Sequence, residues 1–357
     1  MKQQNLKNIQ QTFITELSNA QKGDHSSLPF IRHTLASHPI VANDEVFQVV
    51  VIGGSYYQKA LMKNVSGNVR ILTQDQGTQP PFMHEKTLMK FLAEHIDPHV
   101  KTVALNFAYP LHPVNREGRL DGRLVNGSKE NSFKGLVGKV VGERIERYFY
   151  DKHNRQIAVS TANDTICLLL SGLMTHPWNI LAAGVVGTGL NFAIFLDETT
   201  VVNLESAEFD RFEQSEAGKI IDASSVSPGS ALIEKEISGA YLLHHFNINV
   251  KQQGIVLDKI RATKEIDLYA RNKDEHIAGL ARETLEHSAS LVAAQISGIL
   301  EFCKRDLLFI MQGSLYWKGY KYKETVARLV AELSPSYHAS YEQVLHSDLF
   351  GAAKLVG

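Results

Sequence analysis

Cysteine is scarce in this chain of 357 residues: only Cys167 and Cys303 occur, both in apolar helical surroundings and without metal-ligand spacing. That argues against a disulfide between them and suits a reducing compartment. Charge of one sign is also lacking, with 37 Lys and Arg against 38 Asp and Glu. No Lys/Arg block stands out, which argues against a nucleic-acid partner. No apolar run reaches membrane-spanning length, and the first residues, Met-Lys-Gln-Gln-Asn, carry no hydrophobic signal segment. The expectation is therefore a cytoplasmic protein without a membrane partner. Low-complexity segments are missing too. What remains is ordinary globular composition, 44% apolar and 21% charged, in a chain too long for one comfortable core. Two lobes are expected.

Leu6, Ile9, Phe13 and Leu17 recur at helical spacing and predict an amphipathic N-terminal helix. Lys22–Asp44 is polar and turn-rich and reads as a linker. Val46–Ile52 reads as a buried strand, Gly53-Gly54 as a turn, Tyr56–Lys63 as the returning strand and Asn68–Thr73 as a third. A helix around Met83–Ile96, a strand at Thr102–Phe107, a helix at Val137–Tyr148 and a strand at Gln156–Ser160 follow. The order then recurs: a hairpin of Asn179–Val186 and Asn191–Leu196, a strand at Thr200–Leu204, helices at Ala231–Phe246 and His276–Phe302, and a strand at Leu307–Met311. A meander followed by alternating helices and strands, used twice, predicts two related α/β lobes around a cleft, the usual place for a small-molecule site.

Polar residues gather at the ends of these elements. Asn163-Asp164-Thr165 joins a strand to an apolar helix, where ligands approach an open α/β sheet. Asp164 is the plainest candidate for the helix cap, with Thr165 sharing the role. Chemically, an Asp there can also take the proton of a substrate hydroxyl, which is what phosphoryl transfer asks of a base. Gly53-Gly54-Ser55 and Gly187-Thr188-Gly189 read first as hairpin turns using the positive φ of glycine. As a matched pair, each with a hydroxyl, they would also present N–H groups to phosphates. Asn191 follows the second turn and Glu205 ends the next strand. Glu234 lies on a helix expected to start cleanly after Ser227-Pro228. Ser128-Lys129 reads as a surface turn, and His244-His245 as a helical pair rather than a metal site.

Taken in order, these segments resemble the hexokinase family from about Val46 to the C-terminus. Asn163-Asp164-Thr165 resembles the segment carrying that family's catalytic base, and Gly187-Thr188-Gly189-Leu-Asn191 its second phosphate turn. Asn203-Leu-Glu205 is similar to its sugar-binding strand end, and Ser227-Pro228-Gly229 through Glu234-Lys235 to Tyr241-Leu242 to its next sugar-binding helix. Gly313-Ser314-Leu-Tyr316 and Gly351-Ala352-Ala353 resemble the adenosine region.

The resemblance implies the duplicated actin-like ATPase fold, which is ribonuclease H-like. An N-terminal helix and linker, 1–45, packed on the large lobe, would precede a small lobe, 46–162, and a large lobe, 163–349. Segment 350–357 would return toward the small lobe. The resemblance further implies ATP and Mg2+ as cofactors, and an aldohexose such as glucose as substrate. Asp164 would take the proton of the 6-hydroxyl, with Lys129 beside the transferring phosphoryl group. Ser128, Lys129, Asn163, Asn191, Glu205 and Glu234 would bind the sugar, and Gly53, Gly54, Ser55, Gly187, Thr188, Gly189, Gly313 and Ser314 the nucleotide. A monomer or homodimer is expected.

The departures fall mostly on the nucleotide and metal side. Val51 stands where the family has an Asp that helps hold the magnesium shell, leaving the metal to the phosphates and to waters oriented from Asp164 and Ser55. Tyr56, Gln58, Ala108, Ser206 and Gln312 also depart from the pattern. Two functions stay open: a hexose 6-kinase, and a catalytically weak sugar-binding or regulatory protein that kept the pocket. Retained Asp164 favours the first and Val51 the second.

Overall fold

The computed structural model describes residues 3–128, 130–272 and 275–357. By backbone contacts the chain divides into two units that interleave in sequence. One comprises Ile31–Ala183, Ala193–Asn203 and Val344–Gly357, and the other Met1–Phe30, Gly184–Phe192 and Leu204–Gln343.

The first of these units holds a five-stranded sheet. Val46–Ile52, Tyr56–Val65 and Asn68–Thr78 form an antiparallel meander. Thr102–Phe107 runs parallel to Val46–Ile52 on the other side, with Ala158–Ala162 parallel beyond it. The valine-rich first strand is buried along almost its whole length, as expected of a strand covered on both faces. Val50, Ile52, Val103, Leu105 and Phe107 pack into one core with the helices Glu85–His95 and Val141–His153. Because side chains alternate along a strand, Val49, Val51, Ala104 and Asn106 face the other way, where the helix Ser347–Ala353 packs.

The six-stranded sheet has the order Ile31–Thr34, Thr200–Asn203, Leu190–Phe195, Leu181–Val186, Leu307–Gln312, Ala339–Glu342. Without its first edge strand, this repeats the five-stranded order: a meander in reverse, then two later strands. As in the first sheet, Leu190–Phe195 and Thr200–Asn203 pair antiparallel, and the last two strands run parallel.

In the unit containing Leu204–Gln343, the helix Glu275–Cys303 is the central support, buried along most of its length. The N-terminal helix Gln3–Lys22 lies on it with Leu6, Ile9, Phe13 and Leu17 buried, as their spacing predicts. Gly298 lets that contact close: a Cβ there would stand 2.8 Å from the Phe13 ring.

Several expectations need correction. The 22–44 stretch is not only a linker, since Ile31–Thr34 adds an edge strand beside Thr200–Asn203. A hairpin of Leu111–Arg116 and Arg119–Leu124 lies where no strands were expected. The expected helix Ala231–Phe246 is two, Leu232–Ile237 and Gly239–Gln252, separated by extended Ser238. Residues 227–231 form turns rather than a helix start. The segment after Asn163 groups with the five-stranded sheet, whereas the sequence reading opens the large lobe there. Its helix Asp164–Ser171 is drawn in by Ser347–Ala353, where Gly351 lies so close that a Cβ would collide with the Cys167 carbonyl. Gly351, Ala352 and Ala353 are buried in this contact. Both cysteines are free. No helix among the described residues is long and apolar enough to cross a membrane.

Candidate active site

Asn163, not Asp164, caps the helix Asp164–Ser171. Its Oδ1 accepts the Ile166 amide at 3.0 Å, and its backbone is extended, the usual cap geometry. Asp164 is the first helical residue, partly accessible, with Oδ1 accepting the Thr165 amide at 2.8 Å. Burial is the largest influence on its carboxyl and pushes the pKa up against these hydrogen bonds. The residues behind it, Thr165 through Ser171, are all buried, so the carboxylate is held on a rigid base.

The first glycine turn sits in the same unit. Neither Gly53 nor Gly54 has positive φ, contrary to the hairpin expectation. Gly53 is instead tightly surrounded: its amide donates to the Tyr56 carbonyl at 3.1 Å, and its own carbonyl accepts from Gln79 Nε2 and the Tyr109 hydroxyl. Gly54 and Ser55 are exposed. Asn131, which sequence reasoning missed, ties this turn to the Ser128 loop. Its Nδ2 donates to the Gly54 carbonyl at 2.8 Å, its Oδ1 accepts the Phe82 amide, and its own amide donates to Ser128 Oγ at 3.1 Å. Only its burial, invisible in a polar loop sequence, marks it out. Lys129 lies outside the described residues. Tyr56, next after the turn, has its phenol pKa raised by burial first and then by the charges of Asp348 and Asp164, so the turn and Asp164 are neighbours.

The other unit assembles the remaining candidates. Gly187, Gly239 and Gly313 bring three backbones together. The Gly239 amide donates to the Gly187 carbonyl at 2.7 Å and the Ala240 amide to Thr188 at 3.3 Å, so the turn satisfies the first donors of the helix Gly239–Gln252. These bonds also explain the break at Ser238. A Cβ on Gly187 would stand 3.1 Å from Gly313 Cα. Gly187 and Gly189 also lack positive φ, but Gly313 has φ 118° and leaves no room for a side chain against the Val186 carbonyl. Thr188 and Ser314 are exposed.

Beside that turn, Glu234 Oε1 accepts the Leu190 amide at 3.0 Å. Burial raises the pKa of Glu234, and the nearby charge of Glu208 adds to this. Asn191 Oδ1 accepts the amides of Phe192 and Ser206, which fixes Asn191 next to Glu205. Glu205 itself is left-handed, at φ 48° and ψ 47°, a costly conformation for a non-glycine residue that re-aims the chain at the strand end. Asn191, Glu205 and Glu234 are thus brought together with Gly187-Thr188-Gly189, Gly313 and Ser314. Asn163 and Asp164 are brought together with Gly53-Gly54-Ser55 and Ser128. Among the described residues no group of three or more His, Cys, Asp or Glu could hold a metal ion. Val51, 4% exposed and apolar, offers no oxygen to a cation.

A meander of three strands followed by two parallel strands, present twice, defines the duplicated actin-like ATPase fold. Solved structures agree. A hexokinase from Schistosoma mansoni complexed with glucose matches with TM-score 0.77 and 21% identity over 100% of this chain and 95% of that chain. A ROK family glucokinase from Streptomyces griseus in complex with glucose and AMPPNP matches at TM-score 0.54 and 17% identity, over 87% of this chain and 99% of that one. In sequence, rice (Oryza sativa subsp. japonica) Hexokinase-5 is 24% identical over 379 residues, covering 84% of this chain and 73% of the rice protein. Arabidopsis thaliana Hexokinase-2 is 29% identical over 182 residues, which span 43% of this chain and 34% of that protein. No protein-family model matches. Fold and sequence likeness together support the hexokinase family of the actin-like ATPase superfamily.

Proposed function

We propose that this protein is a hexose kinase, moving the γ-phosphoryl group of ATP to the 6-hydroxyl of an aldohexose such as glucose. The observation that carries this reading is Asp164. It heads a buried helix whose cap is supplied by its neighbour, so helix formation does not require its carboxylate. A carboxyl with raised proton affinity is suited to general-base work. Asp164 accepts the hydroxyl proton while the sugar oxygen bonds to the γ-phosphorus and the bond to the ADP oxygen breaks. Asn163, Asn191, Glu205, Glu234 and Ser128, with Lys129, hold the other hydroxyls. A site built of such groups discriminates strongly, because an analogue lacking a hydroxyl leaves a buried polar atom unpaired.

On the nucleotide side, the Gly53 amide is engaged with Tyr56 and the Gly187 amide with the Gly189 carbonyl at 3.0 Å. Phosphate contacts then fall to Gly54, Ser55, Thr188 and Gly189, with Gly313 and Ser314 toward the nucleoside. Magnesium riding on the ATP phosphates supplies charge neutralisation for the transfer. A mostly hydrated ion of that kind is consistent with described residues that form no all-protein metal cage. Val51 is the specific observation favouring the second reading, a sugar-binding protein with weak transfer. A coupled assay with ATP, magnesium and a panel of hexoses separates the two: phosphorylation supports the kinase, and hexose binding without turnover supports the binding protein.

A further inference from the structure

Asp348 plays no part in the reading above, yet the fold carries it to the same place as Asp164. The helix Ser347–Ala353 packs on the helix Asp164–Ser171, with Gly351 against the Cys167 carbonyl. Ahead of that contact, Asn106 links the two segments. Its Nδ2 donates to the Asp348 carbonyl at 3.4 Å, and its backbone is the register partner of Ala162, two residues before Asp164. The two segments therefore run side by side in the same direction. Asp164 and Asp348 each stand three residues ahead of the Cys167–Gly351 contact. The charges of both raise the pKa of the Cys167 thiol after burial has done so first, and both act on Tyr56 beside the first glycine turn.

Across the sheet, Val51 is the register partner of Asn106 on its other side and shares its face. Val51, Asn106 and Ala162 thus form one row beneath Asp348 and Asp164. Asn106 is 0% exposed, and its Oδ1 has no hydrogen-bond partner among the described residues. A buried carbonyl oxygen left in that state is destabilising, so its place beside two carboxylates fits a donor belonging to a ligand shell.

We propose that Asp348 supplies, from the C-terminal helix, the carboxylate that Val51 removes from the strand. Together with Asp164 it orients the water shell of the magnesium ion carried by ATP, and Asn106 Oδ1 accepts from a water of that shell. Magnesium is commonly held this way, by one or two carboxylates, several waters and the phosphates themselves. Groups that position such a shell typically contribute about 10–100-fold in metal affinity. The proposal rests on the kinase reading for its nucleotide, but its test does not require turnover.

The experiment uses Mn2+ as a spectroscopically visible stand-in, titrated into the full-length protein with AMPPNP and followed by the paramagnetic signal of free Mn2+. Asp348→Asn is expected to weaken Mn2+ retention about 10-fold or more, and Val51→Asp added to it should restore most of the loss. Hexose affinity by calorimetry should stay the same in both. Unchanged Mn2+ affinity in Asp348→Asn overturns the assignment. Should that variant fail to melt cooperatively, Val51→Asp alone decides: tighter Mn2+ binding supports the account, and no tightening overturns it. Failure of the kinase reading is visible separately, as a wild-type protein that retains Mn2+ and AMPPNP but binds no hexose.

Discussion

The Glu234 carboxylate accepts the Leu190 amide at 3.0 Å, joining the helix Leu232–Ile237 to the residue that follows the second glycine turn. The same unit holds Glu205 in a left-handed conformation next to Asn191 and Ser206. Glu205→Gln and Glu234→Gln should each weaken hexose binding by about 1–3 kcal/mol, the scale of a hydrogen bond to a charged acceptor. Calorimetry with glucose and mannose measures this. Unchanged affinity in both variants would place the sugar elsewhere.

Asp164 has a further consequence for pH. Its folded pKa lies above its ordinary value. Between the two values the native chain holds a proton that the unfolded chain has released, so stability falls as pH rises through that window. Above the window the ionised carboxylate is a net cost to the apo protein. Asp164→Asn should therefore melt higher than wild type at about pH 7.5, and the difference should vanish only below about pH 3, under the ordinary Asp pKa, where both states are protonated. A variant that melts lower at neutral pH would mean that Asp164 has a supporting role in the fold.

Gly351 carries the contact on which the C-terminal helix depends. Alanine favours a helix by roughly 1 kcal/mol over glycine, but here its methyl group meets the Cys167 carbonyl. Overpacking of a close contact typically costs about 1–3 kcal/mol, and against backbone more. Gly351→Ala should thus be destabilising in urea melts. Gly54→Ala, with no atom within 4 Å of the added carbon, should leave stability nearly unchanged.

Much of the fold was legible because the buried central strands of a mixed sheet announce themselves: Val46–Ile52 and Thr102–Phe107 are observed at the expected limits. Ile31–Thr34 was not legible, because a four-residue edge strand carrying Arg32 and His33 has no continuous apolar run. The hairpin Leu111–Arg116 with Arg119–Leu124 was hidden by its charges and Pro113, since part of its polar set is buried in ion pairs such as Arg116 with Asp121 at 2.8 Å. Ser238 interrupts a good helical pattern only because the following amides bond to Gly187 and Thr188, a tertiary override of local propensity. In the candidate site, residue types and order could be read from sequence, but side-chain roles could not. Periodicity cannot say that Asn163 rather than Asp164 caps the helix, that Asn131 braces the first turn, or that Asp348 arrives beside Asp164 from the far end of the chain.

The central claim is that Asp164 acts as a base in hexose phosphorylation, and steady-state turnover of Asp164→Asn beside wild type, with ATP, magnesium and glucose, tests it most directly. General-base removal should lower kcat by ~10²–10⁴-fold while glucose affinity stays within a few-fold. Turnover per folded molecule that survives the substitution, or a wild type that binds glucose and never phosphorylates any hexose, would contradict the account.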